Sequence, residues 1–307
     1  MSALQVIQPG PLSLLMDGGR HGWLHQGVSP SGPLDVLSAA WANRLLDNPA
    51  HAPLLEVSLG GVQLQALDDC QLAFTGAQMP LQVAGVAQHH ASSFILRAGE
   101  RLEIGYAQRG QRGYLAIAGD FAAPAVLGSV ATQVQEGLGG LHGDGRPLQV
   151  GDTLRGGSTL LRTQRSVPWR FRPSLAAQVV LRLLPGGDVA AFSAASKEAF
   201  FAQTWQLSAA SNRMGARLAG SALAEPPRLI YSKAMTLGAV QVPPDGQPIV
   251  LMADHQSMGG YPLLGWVHPL DLPALAQLPA GGHVRFSSVS LDDMQAEWRT
   301  FYAFFTP

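Results

Sequence analysis

Short apolar runs separated by turn residues are the feature that most limits what this chain can fold into. Runs such as CQLAFTG, RLEIGYA and QVVLRLLPG alternate or stay apolar over a strand's length and then stop at Gly, Pro, Asp or Asn. The 35 Gly and 22 Pro supply the turns that such a pattern needs. Many short strands at this spacing are typical of all-β barrels and sandwiches. The sequence therefore predicts a mainly β fold with a few short helices.

Four segments are predicted to be helical instead. The first runs from Asp35 to Leu46, where apolar residues recur on one face, and either Ser31 or Asp35 can cap its start. The other three are predicted from Ser193 to about Trp205, from Asp271 with Pro273 in the first turn, and from a Ser290–Asp293 capping box to about Phe301.

A polar, basic, proline-bearing stretch, RTQRSVPWRFRPS, interrupts the strand pattern near the middle of the chain. The 307 residues are enough for two domains that each bury a core. We therefore expect an N-terminal domain over residues 1–165 and a C-terminal domain over residues 166–307.

Charge and cysteine content exclude several classes of protein. The formal net charge of -1 gives no electrostatic basis for binding nucleic acid or an anionic membrane. The single cysteine, Cys70, lies in an apolar strand pattern, so no internal disulfide and no thiolate metal cluster is expected. The sequence has no leader pattern and no apolar run of membrane-spanning length, which favours a cytoplasmic protein. No metal site is expected.

A glycine-rich block near the N-terminus carries the first candidate site. Arg20 follows two glycines, Ser31 and Asp35 precede the first helix, and Asn43 lies within that helix. Free N–H groups at the helix start, with Arg20 as a bidentate clamp, suit a carboxylate or a phosphate. The alternative is that Ser31 and Asp35 only cap the helix and that Arg20 is an exposed loop residue.

Two further blocks are less specific. Residues 128–146 are rich in glycine but lack the Gly-Lys-Ser/Thr of a phosphate-binding loop, which leaves a lid and a plain connector as alternatives. The stretch SNRMGARL places Arg213 and Arg217 where a strand end would meet an anionic or amide group, and a surface loop is the alternative.

The fourth block is GAVQVPPDGQPIVLMADHQSMGGYP, residues 238–262. Its Pro-Asp-Gly turn predicts a hairpin that pairs Gly238–Val242 with Pro248–Met252. Polar residues cluster where these strands end, which is where sites often lie on a rigid scaffold. A loop without a ligand would show the same residues.

Together and in this order, these blocks resemble the family of the 5-oxoprolinase C subunit, also described as allophanate hydrolase subunit 2 or the biotin-dependent carboxyltransferase family. The match covers nearly the whole chain. It is carried by Asp17–Gly22, Gly27–Asp35, Ala42-Asn43, Leu55-Glu56 with Gly60, Phe74–Ala77, Arg112–Ala116 with Gly119, Leu127–Ser129, Leu138–Gly140, Arg213–Gly215 with Arg217-Leu218, and Gly238–Pro262. Lys233 departs from the family, which commonly has an acidic or small residue close to this position.

The resemblance implies two cyclophilin-like β-barrel domains and an enzyme component that is inactive alone. With the A and B subunits of 5-oxoprolinase, the latter related to a kinase inhibitor, it would open 5-oxo-L-proline to L-glutamate at the expense of ATP. ATP would bind this chain or a site shared with a partner. The alternatives are a urea-carboxylase-like carboxyltransferase that uses biotin carried by another chain, and a regulatory antagonist of a sensor-kinase inhibitor.

A small amide or lactam substrate then assigns roles to the polar residues of the four blocks. Amide and carboxylate groups would pair with the substrate C=O and N–H, and Arg20 or Arg213 would hold a substrate carboxylate or the charge on the amide oxygen. The expected catalytic residues are Asp254, Gln241 and Arg213, and the expected substrate-binding residues are Arg20, Ser31, Asp35, Asn43, Gln256 and Tyr261.

Overall fold

The computed structural model describes residues 2–157, 163–224 and 231–305. The chain divides into two units, one made of Met1–His21 and Ser31–Leu175 and the other of Gly22–Pro30 and Ala176–Phe305. Among the described residues, 35% lie in strands and 16% in helices, which confirms the predicted mainly β class. The division falls after Leu175, and the predicted boundary between residues 165 and 166 stays a prediction.

The first unit contains two sheets and helix α1 (Val36–Arg44). Its strands are β1 (Ala3–Pro9), β2 (Leu12–Met16), β3 (Leu54–Ser58), β4 (Val62–Ala66), β5 (Cys70–Gln78), β6 (Leu81–Val83), β7 (Val86–Ala87), β8 (Ser92–Leu96), β9 (Arg101–Ile104), β10 (Arg109–Ile117), β11 (Phe121–Ala122) and β12 (Thr153–Gly156). The larger sheet has the order β11-β12-β1-β4-β9-β6-β7, and the smaller has the order β2-β3-β10-β5-β8.

Burial explains why the strands of this unit differ in pattern. β4 alternates because Val62 and Leu64 enter the core while Gln63 and Gln65 lie on the outer face. β5 is buried along almost its whole length because helix α1 packs against the face opposite the core. Thr75 on that face donates a hydrogen bond to the Ser38 carbonyl of α1 at 2.6 Å. The continuous run CQLAFTGA is therefore a strand covered on both sides.

The second unit is built around a closed barrel with the order β13-β20-β17-β18-β15-β14-β21, in which β13 and β21 run parallel. A separate pair joins β16 to β19. The strands are β13 (Gln178–Pro185), β14 (Trp205–Leu207), β15 (Gly215–Ala219), β16 (Lys233–Ala234), β17 (Ala239–Gln241), β18 (Ile249–Leu251), β19 (Met258–Gly259), β20 (Leu263–Val267) and β21 (His283–Ser288), and the helices are α2 (Ala194–Ala202), α3 (Leu272–Gln277) and α4 (Leu291–Phe305).

The predicted hairpin of the fourth block is confirmed. β17 and β18 are antiparallel, with Val240 opposite Val250 and Gln241 opposite Ile249. The predicted end of helix α2 was wrong, because the helix stops at Ala202 and Trp205 begins β14. The Trp205 indole is fully buried and donates to the Phe200 carbonyl at 3.1 Å, so tertiary burial takes this residue out of the helix.

Helix α4 is the longest helix in the described part of the chain, and most of its residues are exposed. Its start has the predicted cap, since the Asp293 backbone N–H donates to Ser290 Oγ at 3.2 Å. Arg182 of β13 donates to both oxygens of Glu297 at 2.7 Å and ties the helix to the barrel. No helix among the described residues has both the length and the apolar character needed to cross a membrane.

Candidate functional site

A buried ion pair joins two of the predicted catalytic residues in the second unit. Arg213 lies just before β15 and Asp254 just after β18, and these strands are barrel neighbours. The guanidinium donates to the carboxylate through Nε at 2.9 Å and through Nη2 at 3.0 Å. Two parallel charge-assisted bonds fix both side chains in one plane. Each side chain therefore orients the other.

A second pair of predicted residues lies at the end of β17. Gln256 Nε2 donates to Gln241 Oε1 at 3.1 Å, which orients the Gln241 amide. The Gln241 Nε2 group lies 3.3 Å from the Met235 sulfur, a weak acceptor, in a buried position. A Cβ atom on Gly259 would lie 2.5 Å from Gln241 Nε2, so only glycine lets the amide take this place.

The remaining residues of the fourth block differ in exposure. Tyr261 is 45% exposed, so its phenol lies at the surface. His255 is buried, and its Nδ1 lies 2.8 Å from the Gln256 carbonyl oxygen. Burial lowers the pKa of His255, which keeps the ring neutral at pH 7. Gly27, from the first block, belongs to this unit, and a Cβ there would lie 4.0 Å from Ser257 Oγ.

One ion pair beside these residues was not assigned from the sequence. Lys233 Nζ donates to both carboxylate oxygens of Asp188, at 2.6 Å to Oδ1. Asp188 Oδ2 also accepts the Leu263 backbone N–H at 2.8 Å. Lys233 pairs with Gly259 across β16 and β19, which brings it to the glycine that covers Gln241. The rarity of lysine was the sequence signal for this residue, because Lys197 is the chain's only other lysine.

In the first unit, Arg20 is not the exposed loop residue that the alternative supposed, since it is only 1% exposed. Its Nε donates to the Val126 carbonyl at 3.0 Å, and its Nη2 donates to the Ser129 and Ala131 carbonyls at 3.4 and 2.8 Å. Arg20 thus binds backbone of the second glycine-rich block. The two blocks, treated as separate in the sequence, form one structure.

Other contacts confirm that these two blocks are joined. Ser31 donates to the Thr132 carbonyl at 3.1 Å, and Thr132 Oγ1 donates to the Leu15 carbonyl at 2.8 Å. Asp17 accepts hydrogen bonds from the Ser129 hydroxyl and, at 2.8 Å, from the Val130 backbone N–H. Hydrogen bonds from several parts of the first unit therefore hold residues 126–132 in place, which favours a connector over a lid.

Asp35 and Asn43 have local structural partners. Asp35 caps α1, accepting from the Ser38 backbone N–H at 2.9 Å and from the Ser38 hydroxyl at 2.7 Å. Its carboxylate occupies the helix N-terminus, so this terminus does not suit a ligand anion. Asn43 is buried and donates to the Ala52 carbonyl at 2.9 Å and to the Ala50 carbonyl at 3.3 Å.

A buried carboxylate positions the segment before α1. Glu56 Oε2 accepts from the Leu34 backbone N–H at 2.9 Å and from the Tyr114 hydroxyl at 2.8 Å. Tyr114 in turn accepts from the Asp35 backbone N–H at 2.8 Å. Burial, with Glu56 and Asp35 nearby, raises the pKa of Tyr114 well above its ordinary value. The isolated Glu in the apolar run LLEVS was the signal for this network.

The sequence matches a known protein family over most of its length. The family described as carboxyltransferase domain, subdomain A and B, matches residues 26–288. The C subunit of Escherichia coli 5-oxoprolinase is 38% identical over 94% of this chain and 92% of its own length. The chain belongs to this carboxyltransferase family. Saccharomyces cerevisiae urea amidolyase is 28% identical, with 96% of this chain matching 17% of that protein.

Solved structures of the carboxyltransferase family extend the match to the fold. The crystal structure of Kluyveromyces lactis urea carboxylase superposes with a TM-score of 0.90 and 26% identity, over 99% of this chain and 29% of that one. The family resemblance inferred from the ordered blocks is thereby confirmed. Within the described ranges of this carboxyltransferase-family chain, no group of three His, Cys, Asp or Glu side chains is arranged to hold a metal ion.

Proposed function

We propose that this chain is the C subunit of an ATP-dependent 5-oxoprolinase, inactive alone, that acts with the A and B subunits to open 5-oxo-L-proline to L-glutamate. One observation carries the proposal, namely the similarity to the Escherichia coli C subunit along almost the full length of both chains. The residue inventory agrees, since the polar groups of the fourth block suit an amide or lactam.

The Gln241 amide is the group we assign to the lactam carbonyl. Gln256 holds its oxygen, and its N–H faces only the weak thioether acceptor of Met235 among the described hydrogen bonds. A buried donor with a weak partner gains most from a carbonyl ligand. We assign stabilisation of the negative charge that develops on the lactam oxygen to the Arg213–Asp254 pair. We assign contact with the substrate at the protein surface to Tyr261.

The chemistry assigned to ATP is phosphorylation of the lactam oxygen, with release of ADP. Water then attacks the activated ring carbon, and the C–N bond opens to give a free amine and an acyl phosphate. A second water hydrolyses the acyl phosphate, which releases phosphate and leaves glutamate. We assign the ATP site to a partner protein or a shared interface, because the sequence lacks a phosphate-binding loop and a carboxylate already caps α1. In the cell we place this complex in the cytoplasm.

The test is reconstitution. The chain is co-purified with its candidate A and B partners, and glutamate and ADP are measured after addition of 5-oxoproline and ATP. We expect both products from the mixture of all three proteins and from none of them alone. Absence of turnover with a fully assembled complex would overturn the proposal.

A biotin-dependent carboxyltransferase is the second candidate, favoured by the superposition on the Kluyveromyces lactis urea carboxylase. In that case biotin would arrive on another chain. Transfer of labelled carboxyl from free carboxybiotin to urea, catalysed by the same purified complex, separates this candidate from the first.

A further inference from the structure

The substrate of the proposed reaction carries a carboxylate as well as a lactam, and the structure changes which residue can hold it. Of the two arginines considered from the sequence, Arg20 directs Nε and Nη2 at backbone carbonyls. Arg213 directs Nε and Nη2 at Asp254. Both are largely buried and serve the protein's own acceptors. Lys233 is the more exposed cation beside the amide-binding residues, at 22% of its side chain against 10% for Arg213.

Lys233 has the position that this role requires. It pairs with Gly259 across β16 and β19, and Gly259 is the residue against which the Gln241 amide packs. At the adjoining Gly260, an added Cβ would make only an ordinary van der Waals contact, with Ser232 Oγ at 3.7 Å. The Lys233 backbone and the Gln241 amide therefore both adjoin Gly259.

The charge of Lys233 is held in place and still reaches solvent. Its side chain is 22% exposed and that of its partner Asp188 is 13% exposed. The ammonium has three donors, and Asp188 supplies acceptors from one side only. The Tyr231 ring lies 5.7 Å from Nζ and is itself 60% exposed. Asp188 thus orients the ammonium without enclosing it.

We propose that Lys233, oriented by Asp188, binds the carboxylate of the lactam substrate while Gln241 binds its carbonyl. This inference rests on the proposed function for the identity of the lactam. It makes Lys233 a specificity-determining residue that separates 5-oxoproline from neutral lactams and from urea.

The experiment compares two ligands that differ only in the carboxylate, 5-oxoproline and 2-pyrrolidinone. Their dissociation constants are measured on the assembled complex by ligand-observed NMR, and KM and kcat for 5-oxoproline are measured in the reconstituted assay. The variants are Lys233→Met, Lys233→Arg, and Lys233→Met combined with Asp188→Asn, which removes both charges and keeps the shape. Lys197→Met, at the chain's other lysine on α2, is the matched control.

Loss of one charge-assisted contact should weaken 5-oxoproline binding by about tenfold to a hundredfold and raise KM accordingly. We expect kcat to change less, 2-pyrrolidinone binding to stay the same, Lys233→Arg to retain part of the affinity, and Lys197→Met to match the wild type. The double variant should behave as Lys233→Met does.

The outcomes separate this inference from the proposed function. Wild-type turnover together with an unchanged KM in Lys233→Met and in the double variant overturns the role of Lys233 and leaves the function standing. Carboxylate binding that depends on Lys233, without wild-type turnover, supports the anion site and overturns the function. Neither turnover nor binding by the wild-type complex overturns both.

Discussion

Arg213 and Asp254 form a buried, two-bond ion pair between the beginning of one barrel strand and the end of its neighbour. Breaking such a pair leaves a charge inside the protein without its partner, which costs about 3–5 kcal/mol. Asp254→Ala should therefore lower the free energy of unfolding of the second unit by about that amount, as measured by urea denaturation. Asp254→Asn keeps an acceptor for the guanidinium and should cost less.

Asp245 in the hairpin turn provides the control for that measurement. It is exposed, and its side chain accepts only the Gln247 backbone N–H at 3.0 Å among the described hydrogen bonds. Asp245→Ala should cost less than about 1 kcal/mol, since exposed polar contacts contribute little. Equal losses in the Asp245 and Asp254 variants would contradict the importance of the buried pair.

Two adjacent glycines give a test of the Gln241 amide. An alanine Cβ at Gly259 would lie 2.5 Å from Gln241 Nε2 and must displace the amide, whereas the same Cβ at Gly260 would make an ordinary van der Waals contact with Ser232 Oγ at 3.7 Å. Gly259→Ala should reduce kcat/KM for 5-oxoproline by about a hundredfold, since displacement of a substrate-positioning group by about 1 Å has that effect. Gly260→Ala should leave it near the wild-type value. Similar activity in both variants would remove Gln241 from the site.

Arg20 is predicted to act through the fold of the first unit. Lysine cannot reproduce the planar fork that reaches the carbonyls of Val126, Ser129 and Ala131. Arg20→Lys should lower the free energy of unfolding by about 2–3 kcal/mol, the size of lost charge-assisted hydrogen bonds. Hydrogen exchange should rise over residues 126–132. Arg101→Lys, on the exposed face of β9, should change neither the stability nor the hydrogen exchange. Wild-type hydrogen exchange in the Arg20→Lys protein would refute the role of Arg20 in holding this segment.

Cys70 offers a readout of global unfolding. Burial, followed by the nearby Asp69 charge, raises the pKa of this fully buried thiol to about 12. Because the thiolate is the reactive form, the folded protein should not react with a disulfide reagent at pH 8. One thiol per chain should appear as denaturant unfolds the protein, in parallel with the loss of tryptophan fluorescence. Fast labelling of the folded chain would show that Cys70 is accessible.

The attachment of α4 to the barrel should weaken at acid pH. The hydrogen bonds from Arg182, followed by its charge, outweigh desolvation and lower the pKa of Glu297 from its ordinary 4.5. A carboxylate with a lowered folded-state pKa stabilises the fold fully above its unfolded-state pKa, and the contribution is lost as the pH falls through the folded-state value. Exchange protection of α4 should therefore decline below about pH 4.5 in the wild type. Glu297→Gln should show weaker protection at neutral pH and a flatter acid profile, and an identical profile would contradict the link.

The secondary structure was largely accessible from local pattern. The Pro-Asp-Gly turn with its two apolar flanks predicted the β17–β18 hairpin, and the capping residues predicted the starts of α1 and α4. The end of α2 was not accessible, because the burial of Trp205 in a strand depends on residues distant in sequence. Helix termination there is a tertiary effect.

The candidate site was accessible only as separate blocks. The sequence showed that Gln241, Asp254 and Gln256 are close along the chain, and the structure pairs Gln241 with Gln256 and Asp254 with Arg213. The sequence offered no means of knowing that Lys233 forms an ion pair with Asp188, 45 residues away.

The sequence by itself determined the family, the mainly β class and the polar residues available for amide chemistry, because motif order, turn residues and apolar spacing are local properties. Only the tertiary structure decided which of those residues serve the fold. The sequence predicted Arg20 as a ligand clamp, and the structure shows that it donates to the Ala131 carbonyl; only the structure shows that Lys233 lies opposite Gly259. The partner of a charged side chain is set by three-dimensional packing, since a buried charge must find its compensation wherever the chain brings an acceptor.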